Sequence, residues 1–280
     1  MLYLCATPIG NLEDITLRVL RVLREAHLIA AEDTRHTRKL LSYYDVHTPL
    51  TSYHEHNYRK KGEYLLRLLE EGRQIALVSD AGMPGISDPG AKLVEEALQR
   101  QLQVTPLPGA SAGITALVVS GLPLETFAFE GFLPATGKAR QEKLCTLTSE
   151  KRTMIFYESP HRLVRVLEDI LKCCGNRRLA VARELTKKHE EVVRGTVTEV
   201  LEHFNSDKPK GEFCLIMEGN AKPEQKVQEV PVQDPAVHVA LLEESGAPRK
   251  DAIRIVAQAH GLPRRVVYNL LVQEKEKLRN

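Results

Sequence analysis

Residues 77–90, LVSDAGMPGISDPG, constrain the fold more than any other stretch of this chain. The apolar run Ile75-Ala76-Leu77-Val78 that leads into them has the length and residue type of a buried strand. It breaks into a segment where three glycines (Gly82, Gly85, Gly90), two prolines (Pro84, Pro89) and two aspartates (Asp80, Asp88) fall within eleven residues. Glycine lets backbone approach a ligand closely or take positive φ, and proline fixes φ and removes a donor. Residues 92–101 then read as a helix. A strand that ends in a side-chain-poor loop ahead of a helix belongs at the carboxyl edge of an α/β sheet, where ligands bind. An ordinary connection at that place runs about 2–6 residues, and this one is longer.

The same alternation runs through the first 120 residues. Strands are expected at 2–6, 28–31, 50–53, 75–78 and 104–107, with helices over 15–26, 37–44, 62–71 and 92–101 and a last one opened by Pro108-Gly109-Ala110-Ser111-Ala112. Strands alternating with helices imply a parallel, doubly wound sheet. Gly121-Leu122-Pro123-Leu124 breaks the pattern and marks a boundary. Strand candidates follow at 127–131, 153–157, 179–183, 191–195 and 213–218, with helices at 139–148, 160–173 and 197–205. The short link between the third and fourth of these strands makes the second sheet mixed. Residues 221–233 are polar, hold Pro223 and Pro231, and read as a linker. Three helical stretches close the chain, 236–244, 249–260 and 264–277, the last two arranged as a helix-turn-helix. The expected organisation is therefore α/β: a domain over 1–120 with a parallel sheet, a second over 121–220 with a mixed sheet, and a small all-α module over 234–280.

Composition excludes several classes. Hydrophobic residues make up 42% and charged residues 27% of the 280 positions, the balance of a soluble globular protein. No apolar run approaches the roughly 20 residues needed to span a bilayer. The apolar start of the chain has no basic flank and reads as a strand, not a signal peptide. Five cysteines (Cys5, Cys145, Cys173, Cys174, Cys214) lack CxxC or ligand-like spacing, as expected of reduced core thiols in the cytoplasm. The overall charge of +2 says little, but residues 249–280 hold eight Lys and Arg against three acids, a local net of +5. A basic helical module of this kind is a nucleic-acid footprint, with a solvated charged face or a dimerisation appendage as the alternatives.

The loops expected to meet at the edge of the first sheet carry little hard chemistry. There is no GxGxxG after the first strand, no GxxxxGK[ST], no HExxH and no GxSxG, so neither a Rossmann or P-loop site, nor a metalloprotease, nor a serine hydrolase is supported. His54 and His56, with Glu55 between them, are the nearest approach to a metal cluster, and no metal is expected. What remains is a backbone-rich pocket suited to an organic cofactor that brings its own reactivity.

The motifs TPIGNLED, AEDTR, SDAGMPGISDPG, PGASA, FYESPHR, ARELTKKHEE and GEF resemble those of the tetrapyrrole-methylase superfamily of S-adenosylmethionine (SAM)-dependent methyltransferases. Within it they resemble the branch that methylates the ribose 2′-oxygen of a cytidine in the decoding centre of 16S ribosomal RNA. The resemblance implies two α/β domains with SAM in the cleft between them, a homodimer, and the small ribosomal subunit as partner. It places Pro8, Gly82, Met83, Ile86, Ser111, Ala112, Tyr157, Glu212 and Phe213 at the cofactor. Porphyrin-methylating members often have GDP where this chain has Gly82-Met83-Pro84, which puts their substrate in doubt here and leaves SAM untouched.

Methyl transfer to a ribose hydroxyl needs an aligned oxygen and somewhere for its proton to go. Asp33, Asp80, Glu55, Glu184 and Lys187 are the candidate bases, with Asp33 preferred because it ends a strand in a polar loop; an N-cap is its alternative role. Asp88 reads as a turn or cap residue. Arg35, Arg38, Arg162, Lys187 and Lys188 are candidate phosphate contacts, and Arg183 belongs with them. Arg162 and Arg183 have ion pairs with Glu158 and Glu184 as their alternative. Tyr53, His54 and His56 are candidates to stack on or hydrogen-bond an unstacked nucleotide. Two other functions stay open from the sequence: methylation of a tetrapyrrole or other small molecule, and a non-catalytic RNA-binding assembly factor.

Overall fold

A computed structural model describes residues 1–205, 209–220, 234–244 and 247–277. Two compact units divide it, Met1–Ala221 and Lys222–Asn280. The expected linker at 221–233 lies outside the described residues.

The first unit opens with β1 (Leu2–Cys5), α1 (Leu17–Glu25), β2 (Leu28–Ala31), α2 (Thr34–Tyr43), β3 (Leu50–Ser52), α3 (Tyr58–Glu70), β4 (Ile75–Val78), α4 (Gly90–Gln99), β5 (Val104–Leu107) and α5 (Ala112–Val119). Its five strands form one sheet in the order β3-β2-β4-β1-β5, and every pairing is parallel. Parallel sheets are covered on both faces, which is why β4 is apolar throughout. Ile75 and Leu77 pack with Leu65, Leu66 and Leu93 of α3 and α4. Ala76 and Val78 pack on the other face with Val19, Val22 and Leu41 of α1 and α2.

Two helices start three or four residues earlier than the sequence suggests. α2 begins at Thr34 because Asp33 caps it, its carboxylate accepting from the Arg35 N–H at 2.8 Å. α3 begins at Tyr58, four residues before Gly62, which reads as a helix start but sits inside the helix. Gly62 is buried there, with the Tyr53 ring 3.7 Å from where a Cβ would stand.

The chain continues with β6 (Phe127–Phe132), α6 (Gly137–Thr146), β7 (Thr153–Glu158), α7 (Leu163–Cys174), β8 (Arg178–Arg183), β9 (Glu191–Thr196), α8 (Val197–Asn205) and β10 (Phe213–Met217). These strands form a mixed sheet, β6-β7-β10-β8-β9, in which only β6 and β7 pair in parallel. One face carries Met154, Phe156, Val181 and Leu215 against α7 and α8. The other face carries Ile155, Ala180, Cys214 and Ile216 against Ala116 and Leu117 of α5. The last helix of the first half thus closes the core of the second sheet.

The second unit contains α9 (Pro235–Glu244), α10 (Arg249–Ala259) and α11 (Arg264–Lys277) around Val239, Ala252, Val256 and Val267. Gly261, at φ +63°, turns the chain between α10 and α11. No helix among the described residues is long and apolar enough to cross a membrane. All five cysteines are free; Cys5, Cys174 and Cys214 are core thiols as expected, whereas Cys145 is exposed.

Candidate functional site

Because the first sheet is parallel, the loops after β1, β2, β4 and β5 leave the same edge. Two of them are stitched together: Thr7 N–H donates to the Gly82 carbonyl at 2.9 Å and Gly82 N–H returns a bond to Thr7 at 3.0 Å. The Thr7 hydroxyl reaches the Ser79 carbonyl at 3.1 Å. Gly82 is at φ +76°, and a Cβ there would sit 3.4 Å from the Ala110 carbonyl, so the glycine lets three loops converge. Asp88 shapes the rest of the β4 loop, accepting from Gly85 N–H at 2.9 Å and Gly90 N–H at 2.7 Å. It is a turn residue, as its place before Pro89 suggests.

Opposite this edge stand Phe132, Tyr157, Leu185 and the segment Gly211-Glu212-Phe213 from the second sheet. Between the two walls lies a cavity of about 360 Å³, within the range of small-molecule sites. Ile9, Met83, Ile86 and Leu185 give it apolar sides, while Glu32, Asp80 and Asp88 give it negative charge. Burial, then the charges of Asp80 and Asp88, push the Glu32 carboxyl above its ordinary range. Burial also raises Asp88, against the N–H bonds from Gly85 and Gly90. An apolar cleft with a carboxylate wall fits a compact cation such as a sulfonium, whose charge the acids complement without immersing it in water.

Eight of the nine expected cofactor residues meet in this cavity: Gly82, Met83, Ile86, Ser111, Ala112, Tyr157, Glu212 and Phe213. The ninth, Pro8, is buried, and its neighbour Ile9 does the lining. Sequence reasoning misses Ile9, Glu32 and Leu185; each lies inside a quoted motif, but strand-end geometry decides which motif residue faces the cleft.

Asp33 is not among the lining residues. Its carboxylate caps α2 and pairs with Arg35 at 2.8 Å, and that hydrogen bonding holds it well below the usual carboxylate range. The expected RNA residues are dispersed. Arg35 and Arg38 on α2 and Lys188 are exposed. Tyr53 is 2% exposed and packs in the core beside Leu65 and Leu66, its hydroxyl directed to the Pro89 carbonyl, so its ring stacks on protein. His54 is half-buried, with Nε2 3.1 Å from the Asn57 amide. Arg162 braces the turn after β7, donating to the Leu133 carbonyl at 2.6 Å and pairing with Glu158 at 3.2 Å. Arg183 donates to the Lys210 carbonyl and pairs with Glu191, not Glu184. Lys187 bridges Glu184 at 2.9 Å and Glu212 at 3.1 Å.

A parallel sheet and a mixed sheet that close on a glycine-floored, acid-walled cleft make a site suited to a compact cationic ligand. Residues 1–201 match the model of the Tetrapyrrole (Corrin/Porphyrin) Methylases. The chain is 52% identical over 278 residues to Ribosomal RNA small subunit methyltransferase I of Halalkalibacterium halodurans, covering 98% of this chain and 95% of that protein. It is 50% identical over 218 residues to the protein of the same name from Thermotoga maritima, covering 78% of this chain and 98% of the relative. Among solved structures it is similar to uroporphyrin-III C-methyltransferase from Thermus thermophilus complexed with S-adenosylhomocysteine, with a TM-score of 0.55, 19% identity, and coverage of 78% of this chain and 96% of that one. The chain belongs to the Tetrapyrrole (Corrin/Porphyrin) Methylases, and its methyl donor is SAM.

Proposed function

We propose that this enzyme methylates the ribose 2′-oxygen of a cytidine in the decoding centre of small-subunit ribosomal RNA, acting in the cytoplasm. The observation that carries the reading is 52% identity, over nearly the whole chain, to a small-subunit ribosomal RNA methyltransferase. The choice of nucleotide and atom rests on the motif resemblance.

SAM supplies an electrophilic methyl group on a sulfonium. The chain holds it with the backbone around Gly82 and Met83 and with Ser111 and Ala112, and excludes water with Ile9, Leu185 and Tyr157. Glu32 takes the hydroxyl proton: it lines the cleft and its raised affinity for protons makes it a better base than Asp33, whose carboxylate is occupied by Arg35.

RNA runs past a cationic rim at this same edge. Acids are favoured in the first turn of a helix, yet the first turns of α2, α3 and α4 contain none. They carry Arg35, Arg59, Lys60 and Lys92 instead, with the Lys92 ammonium 3.9 Å from the centre of the Tyr58 ring. That arrangement is unfavourable alone and favourable against phosphates. In the second unit, Arg264, Arg265 and Tyr268 are exposed at the start of α11 and supply further contacts. The functional division is 1–120 for the donor loops, 121–220 for the facing wall and 234–280 for RNA. A second copy covers the apolar face made by Ile114 and Val118 of α5 with Phe127 and Phe129 of β6, all at least 40% exposed.

The test is mass-spectrometric mapping of methylated nucleosides in ribosomal RNA from cells with and without the protein. One 2′-O-methylcytidine should disappear from the small subunit. An unchanged map, with SAM bound by the purified protein, would favour a small-molecule acceptor.

A further inference from the structure

The segment 184–187 joins three parts of the first unit beside the cleft. Leu185 lines the cavity and is flanked by two residues in the left-handed region, Glu184 at φ +51° and Thr186 at φ +67°. For a β-branched residue such as threonine this is a true outlier, and such strain persists only where the surroundings enforce it. The surroundings are visible. On one side, the Thr186 hydroxyl accepts from the Asn11 N–H at 2.9 Å, in the loop after β1. Gly10 is packed so closely that a Cβ would lie 2.5 Å from Lys187 Cγ and 2.9 Å from the Leu185 carbonyl. On the other side, Glu184 Oε1 accepts from the Glu212 N–H at 2.9 Å, and the Glu184 N–H returns a bond to the Glu212 carbonyl at 3.0 Å. Gly211, at φ +96°, has the Glu184 side chain where its Cβ would be.

Lys187 is the keystone of this arrangement. Its Nζ donates to Glu184 Oε1 at 2.9 Å and to Glu212 Oε2 at 3.1 Å. Burial raises the Glu184 carboxyl, but the Lys187 and Glu212 hydrogen bonds outweigh it and hold the group ionised. Two carboxylates therefore share one ammonium at the edge of a cavity lined by Leu185, Gly211, Glu212 and Phe213.

We propose that Lys187 is a positioning residue of the donor site: by clamping Glu184 and Glu212 together it fixes Leu185 and the 211–213 rim, and it makes no contact with RNA phosphate. The proposal rests on the reading of this cleft as the SAM site. Its physical basis is that removing the ammonium strips the largely buried Glu184 carboxylate of its cation beside a strained turn.

The experiment titrates SAM and S-adenosylhomocysteine calorimetrically into the wild type, Lys187→Met and Lys187→Arg, and in parallel measures binding of a small-subunit ribosomal RNA fragment by anisotropy. Lys187→Met should weaken both small ligands by about tenfold, the scale of removing one partner from the largely buried Lys187–Glu184 pair. RNA affinity should stay within about twofold, and Lys187→Arg should recover most of the loss because it restores the bridge. In turnover, KM for SAM should rise while KM for RNA does not. If Lys187→Met does not fold, Glu212→Gln keeps the Glu184–Lys187 pair and should show a smaller loss in the same direction. Unchanged donor affinity in these variants, or RNA affinity falling with donor affinity kept, overturns the proposal. A wild type that binds no SAM overturns the donor reading instead, and this proposal with it.

Discussion

The Gly113 N–H donates to the Tyr157 hydroxyl oxygen at 3.2 Å, tying the first turn of α5 to β7. Gly113 is also the residue that lets the two approach, since a Cβ would stand 3.2 Å from that oxygen and 3.3 Å from Ile155 Cγ2. The contact joins the loop that carries Ser111 and Ala112 to the opposite wall of the cleft. Tyr157→Phe leaves a helix N–H without its partner and should cost about 1–2 kcal/mol of stability. Denaturant unfolding would measure that cost, and calorimetry should show weaker binding of S-adenosylhomocysteine.

Gly10→Ala should be more damaging than a glycine-to-alanine change in a loop ordinarily is. Gly10 does not lie in the left-handed region, so the cost is spatial: the new methyl meets Lys187 Cγ at 2.5 Å, the Thr186 hydroxyl at 2.8 Å and the Leu185 carbonyl at 2.9 Å. The lysine stem can swing away, but the carbonyl is backbone. Overpacking of this kind costs about 1–3 kcal/mol. The melting temperature should fall and donor affinity should fall with it, because the displaced segment carries Leu185. A variant with wild-type melting and wild-type donor affinity would show that the loop has slack the distances do not allow.

The cationic rim makes a prediction about salt. Replacing Arg59, Lys60 and Lys92 together with glutamine should lower RNA affinity and flatten its salt dependence. The slope should shrink by about 0.7 for each single-strand phosphate that these side chains no longer neutralise. Arg264→Gln with Arg265→Gln should act in the same way from the second unit. SAM affinity should be untouched in both variants, since none of these residues lines the cavity. An unchanged salt slope in either variant would remove that surface from the RNA path.

One wall of the cleft was legible in the sequence because it is made of backbone. Glycine and proline at 82–90, and the PGASA turn at 108–112, declare their geometry whatever surrounds them. The alternation of strands and helices likewise pointed to the parallel sheet, and the short link between 183 and 191 to the mixed one. Several charged and aromatic residues, Lys187, Arg183 and Tyr53 among them, were not legible, because their places depend on partners far along the chain. Lys187 meets Glu212, and Arg183 meets the Lys210 carbonyl, across turns that no local pattern shows. Tyr53 ends a strand in a polar context, which suits a stacking ring and a core ring equally; the space left by Gly62 selects the core. The early start of α3 was hidden because Tyr58 is a weak helix former, and that of α2 because the Asp33 cap was only one of two readings of that residue.

Glu32 gives a test that depends on pH. Its carboxyl binds a proton more tightly in the folded protein than in the unfolded chain, through burial first and then the charges of Asp80 and Asp88. Between the ordinary carboxylate range and the higher folded value, the folded state therefore holds more protons. Stability must fall as pH rises through that window, and the deficit persists above it. Glu32→Gln removes the deficit, so the variant should be more stable than wild type at neutral pH, with the difference vanishing at pH values below the ordinary carboxylate range. Denaturant unfolding across that span checks the sign. The same variant should methylate RNA far more slowly at neutral pH while binding SAM, because glutamine cannot accept the hydroxyl proton, and the acidic limb of the wild-type rate profile should disappear. A variant that is destabilised at neutral pH would mean that the ionised carboxylate is favoured by the fold. One that is stabilised yet turns over at the wild-type rate would separate the proton acceptor from Glu32.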